Sequence, residues 1–154
     1  MGQVTHEQAN LMLRLYEMRR EPRLREARQW FVEKFSAATP EELMQKYPPG
    51  TPENTNVRMV PSYWEMCASL VNRGLIDDEL FFEHNGEAWV VWEKLKDLAP
   101  AFRANYKNPR IFYHLEELCN RYEAWRERIA PGANEVIREM FKKWQAKTQA
   151  KAAS

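Results

Sequence analysis

Two histidine–carboxylate pairs, His84/Glu87 and His114/Glu117, come nearest in this chain to metal-binding chemistry. On a helix, three-residue spacing puts imidazole and carboxylate on one side, and two such pairs on facing helices would hold a metal. Carboxylate-bridged di-iron bundles use the opposite order, Glu-x-x-His, with a further Glu from each of two other helices. The first pair also straddles Gly86, a helix breaker. The preferred reading is surface His and Glu on solvated faces, so no metal and no cofactor is assigned.

Nucleophilic chemistry fares no better. Cys67 and Cys119 lie far apart without CxxC spacing, and each falls on the apolar stripe of a predicted helix. Burial raises a thiol's pKa, so both read as reduced, buried small hydrophobes. Ser62 and Ser69 lack the Gly-x-Ser-x-Gly context of a nucleophile elbow, and five scattered glycines form no phosphate loop. No catalytic residue is assigned.

Charge and aromatic rings supply the remaining candidates. Arg19, Arg20, Arg23, Arg25 and Arg28 crowd one stretch beside Trp30, a pattern able to hold phosphates and stack a base. Against it stands a solvated helix face with a Glu21–Arg25 pair, favoured by an overall charge of only +1. Lys142, Lys143, Lys147 and Lys151 form a second basic patch, suited to the negative end of a helix. Trp89 and Tyr106 do not fit the apolar stripes and are the candidate aromatic partner patch.

The elements that must position these residues are helices. With 44% apolar residues and few glycines among 154, the chain has core material for one domain and the composition of a helical one. Thr5-His6-Glu7-Gln8 reads as a capping box, and Pro22 opens a helix carrying Leu24, Ala27, Phe31 and Phe35. Thr39-Pro40-Glu41 starts a short helix, and residues 48–60 read as a loop. Tyr63, Cys67, Leu70 and Val71 then share a face; Gly74 stops the helix, Leu75 packs back on it, and Asp77 caps the next. A helix over about 87–102 follows. Asn108-Pro109 opens the best period, Ile111, Leu115, Leu118, Tyr122, Trp125 and Ile129 at alternating steps of four and three. A last helix carries Val136, Ile137, Met140, Phe141 and Trp144 as an apolar stripe. The expected fold is all-α, an irregular antiparallel bundle of seven or eight helices. Residues 1–146 would form the single domain and 147–154 a frayed tail.

The stretch Tyr63-Trp64-Glu65, Leu70 to Leu80 with its Gly-Leu-Ile-Asp turn, Trp92-Glu93-Lys94-Leu95 and Arg103 resembles an uncharacterised bacterial family of helical domains, domain of unknown function 4760. The resemblance covers the middle half, about 63–122, and implies an all-α domain with no established activity. No signal peptide or membrane span is expected, since the longest apolar run is Ala88–Trp92. The expectation is a cytoplasmic, non-catalytic domain acting through protein–protein contact or self-association. A nucleic-acid-binding module through Arg19–Arg28 is the alternative, and a metal-dependent helical enzyme ranks third.

Overall fold

The computed structural model describes residues 2–154 and, among them, nine helices and no strand. They are α1 (His6–Arg19), α2 (Pro22–Lys34), α3 (Pro40–Lys46), α4 (Pro52–Asn72), α5 (Asp78–Phe82), α6 (Glu87–Leu95), α7 (Ala99–Asn105), α8 (Tyr113–Ile129) and α9 (Ala133–Ala153). The all-α bundle stands.

Threonine and aspartate side chains open the helices as their oxygens dictate. Thr5, Thr39, Thr51 and Asp77 each accept from the backbone N–H three residues on. Only half of the first capping box forms. Gln8 reaches across the fold instead, its Oε1 accepting from Asp77 N–H at 3.0 Å and tying α1 to the start of α5.

The expected loop at 48–60 is largely helix. Thr51-Pro52-Glu53 repeats the Thr-Pro-acid start of α3, and α4 runs from there through Pro61. Pro61 removes one backbone donor, yet it is buried with Val60, Tyr63, Trp64, Cys67, Ala68 and Val71. Packing of that face on α2, α6 and α8 outweighs the lost bond. Each fully buried large side chain contributes roughly 1.5–3 kcal/mol of apolar transfer.

Two more boundaries shift. The helix expected over 87–102 divides into α6 and α7 at residues 96–98. Pro100 has no N–H to offer the Lys96 carbonyl, and its ring would crowd it. α8 begins at Tyr113 rather than after Asn108-Pro109. Asn108 Oδ1 accepts from Arg110 N–H in a turn, and Phe112 sits left-handed at φ 57°. The cap of α8 comes from α4: the Glu65 carboxylate accepts from His114 N–H at 3.0 Å and from Leu115 N–H at 2.7 Å.

At the end of α4, Gly74 (φ 78°) is the left-handed stop, with Gly74 N–H on Val71 O and Leu75 N–H on Leu70 O. The residue that packs inward there is Ile76; Leu75 is half exposed. α4 lies at the centre with α2, α6 and α8 around it, and α9 docks across α8 and α2. Its helical geometry continues through Ala153, past the expected domain boundary at 146.

Candidate functional site

The five arginines do not form one open patch. Arg28 grips Glu87 through Nε and Nη2, both at 2.8 Å, and its Nη1 donates to the Arg19 carbonyl at 2.9 Å. Arg19 Nη1 donates to Asn85 Oδ1 at 3.0 Å, with its guanidinium 4.9 Å from the Tyr16 ring centre. Both side chains therefore join α1 and α2 to the α5–α6 turn. Arg20 lies over Tyr16, Arg25 is exposed and Arg23 is half-buried. The expected Glu21–Arg25 pair gives way to an N-cap, because Glu21 accepts from Arg23 N–H and Leu24 N–H, which holds its carboxyl below the usual range.

The aromatic patch is corrected. Trp89 is 1% exposed, with the guanidinium groups of Arg126 (4.4 Å) and Arg138 (5.2 Å) over its ring and Nε1 donating to Glu123 at 3.3 Å. Tyr106 is 70% exposed and stacks on Phe102. One ring is core and the other is surface. Nothing in the short-range period of α6 marks Trp89 as buried, because its partners come from α8 and α9.

The two His–Glu pairs are likewise dispersed. His84 is exposed beside Glu83, while Glu87 is spent on Arg28. His114 Nδ1 lies 3.1 Å from Asn72 Nδ2, and Glu117 is exposed. Among the described residues no group of three or more His, Cys, Asp or Glu is placed to hold a metal ion. Both cysteines are free and buried. Burial pushes the Cys67 thiol up to about 12 and the Cys119 thiol well above its ordinary value.

Two surfaces that local sequence did not single out are better candidates. The first is the outer face of α9. The predicted stripe splits: Ile137 and Phe141 turn inward with Arg138, while Val136 and Met140 are exposed on the outside, as is Ile129 at the end of α8, and the partly exposed Trp144 borders α2 beside Gln29 and Val32. Arg138 decides the rotation. It bonds Glu93 of α6 at 2.8 Å and also Glu123 of α8, and Asn134 Nδ2 donates to the Glu123 carbonyl at 3.0 Å. Turning the stripe inward would break these partly buried links.

The second is a cleft of about 440 Å³ between the α2–α3 connector, α6 and α9. Phe35, Ala37, Val90 and Phe141 give it apolar walls, and Lys94 projects its ammonium onto the Phe35 carbonyl at 2.9 Å. Burial lowers the Lys94 pKa to about 8. A cavity of about 520 Å³ beside Gly74 and Asp77 is also present, and there Arg121 pairs with Asp78 at 3.0 Å.

No helix among the described residues is long and apolar enough to cross a membrane. In comparison with known proteins, the profile of a family described as a domain of unknown function, DUF4760, matches residues 4–122. The match reaches back through α1–α3, well beyond the middle half that carried the resemblance, and stops short of α9. No curated protein and no solved structure matches.

Proposed function

We propose that this chain, which belongs to the DUF4760 family of domains of unknown function, is a non-catalytic cytoplasmic domain that pairs with a second copy of itself through the outer face of α9. The observation that carries this reading is the exposure of Val136 (60%) and Met140 (63%) on successive turns of α9, with Trp144 (42%) at the edge of the same face where α9 meets α2. Large apolar side chains gathered on one face are a common mark of a contact surface.

Charge along the same helix selects the partner. Glu135 and Glu139 lie in the first half of α9, and Lys143, Lys147 and Lys151 in the second. Two copies laid antiparallel set the acids of each against the lysines of the other, with the apolar residues between them, as a two-fold interface requires. The intrahelical contacts of Glu135 with Arg138 and Glu139 with Lys142 are solvent-facing, so exchanging them costs little. Two reduced, buried thiols suit a reducing compartment. The nucleic-acid reading gains no support, since Arg19 and Arg28 are committed to internal partners.

Sedimentation velocity over rising concentration tests the pairing. A dimer that forms with concentration and is lost in Met140→Glu, at unchanged helicity, is expected. A wild-type monomer up to about 1 mM, where a contact of ~4 kcal/mol half-assembles, would overturn it.

A further inference from the structure

The Lys94 cleft carries an inference independent of the α9 pairing. Lys94 stands on α6, and its Nζ reaches the carbonyl of Phe35, the C-cap residue of α2. That contact places a cation at the negative end of a helix and occupies one of three N–H bonds. No carboxylate among the described residues lies within ion-pair reach of it, because those nearby are engaged or turned away. Glu93 is held by Lys96 at 2.6 Å and Arg138 at 2.8 Å, and Asp97 is exposed. α9 presents only Arg138 and Lys142 to the cleft as charged groups, and the connector from Phe35 to Ala38 has no ionisable side chain.

A desolvated ammonium with one neutral acceptor, set at the wall of an apolar cleft, is matched by an anion that brings its own hydrophobic body. We propose that this cleft binds a small organic carboxylate, its oxygens accepting from the Lys94 ammonium and its apolar part lying between Val90 and Phe141. A single carboxylate fits better than phosphate. Of the four cations that line the cleft, only Lys94 lacks a carboxylate partner among the described residues, since Arg138 pairs with Glu93 and Glu123, Lys96 with Glu93 and Lys142 with Glu139. One uncompensated charge matches a monoanion better than a dianion. The volume of about 440 Å³ falls within the range of small-molecule sites. Burial depresses the Lys94 pKa to about 8 in the free protein, and a bound carboxylate reverses that shift by stabilising the charged form.

Octanoate is the probe, with octanol and inorganic phosphate as comparators, titrated calorimetrically into the full chain at pH 7. Octanoate is expected to bind more tightly than either, and to weaken about tenfold or more in Lys94→Met while Lys94→Arg keeps most of the affinity. Binding is expected to fall as pH rises above about 8, because Lys94 loses its charge. Since Lys94→Met also removes the contact to Phe35, the wild-type side-chain Nζ resonance supplies a second readout: its titration midpoint should rise on addition of octanoate. Equal binding to Lys94→Met, equal binding of octanol or of phosphate, an unshifted Lys94 titration, or no octanoate binding at about 1 mM would each overturn the assignment.

Discussion

Arg28 on α2 and Glu87 on α6 meet in a two-point pair, Nε to Oε1 and Nη2 to Oε2, both at 2.8 Å. The Trp64 indole adds a third bond to the same carboxylate at 3.3 Å, so three helices converge on Glu87. One arginine of the five-residue basic cluster is thus a clasp between helices, and so is Glu87, half of a suggested metal pair.

A planar two-pronged pair does not survive replacement by lysine. Arg28→Lys should cost about 1–2 kcal/mol, while Arg25→Lys on the exposed face should stay within about 0.5 kcal/mol. Urea denaturation midpoints check both. Equal midpoints for the two variants would mean that the clasp contributes nothing.

Glu65 closes α8 from outside that helix, accepting from two of its first free N–H groups. Glu65→Ala leaves both donors unpaired at a partly buried position and should lower stability by about 1–2 kcal/mol. Glu65→Gln keeps one acceptor and loses the charge at the positive helix end, so it should fall between wild type and Glu65→Ala. The order of the three midpoints is the measurement.

The difference between Glu65 and Thr39 explains how much of the fold was legible. Thr39 caps residues next to it in sequence, as do Thr5 and Asp77, and such starts can be read from four letters. Glu65 caps a helix nearly fifty residues away, so no local pattern announces it. Thr51-Pro52-Glu53 was legible but hidden by the prolines and asparagines around it, and Pro61 concealed a helix that tertiary packing holds together. Trp89 and Lys94 fail in the same way. Their meaning rests on Arg126, Arg138 and the Phe35 carbonyl, groups that only the fold brings near. On α9 the sequence names the apolar residues but not which of them turn inward, because Arg138, bonded to Glu93, fixes that rotation.

Gly74 offers a clean test of backbone strain. A Cβ there would meet nothing within 4 Å, so the cost of substitution is conformational alone. With φ at 78°, Gly74→Ala should lose about 1–2 kcal/mol and Gly74→Asn less, since asparagine tolerates the left-handed region better. Thermal melts of the two variants should rank them in that order. An unchanged Gly74→Ala would show that the α4–α5 turn can relax away from its left-handed geometry.

Stability in alkali should pass through a maximum, because the buried Lys94 ammonium and the buried cysteine thiols act with opposite sign. Burial lowers the Lys94 pKa from 10.5 to about 8, so above pH 8 the unfolded chain binds more protons than the folded one and stability rises with pH. Burial raises the Cys67 thiol from 9.0 to about 12, so above pH 9 the unfolded chain has lost a proton that the folded one keeps, and stability falls. Burial raises the Cys119 thiol and the Tyr63 hydroxyl too, and both add to the same fall. In acid, burial pushes Glu123 upward, but hydrogen bonds from Arg138 and Trp89 outweigh it and hold the carboxyl below its ordinary 4.5. That contribution is complete above pH 4.5 and is lost as pH falls through the lower folded value. Urea midpoints across the pH range should therefore rise between about 8 and 9 in the wild type and fall there in Lys94→Met, where only the thiols act. Glu123→Gln should shallow the acid limb while leaving the alkaline one alone. A wild-type midpoint that falls from pH 8, unchanged by Lys94→Met, would mean that water reaches the ammonium freely and that the cleft does not desolvate it.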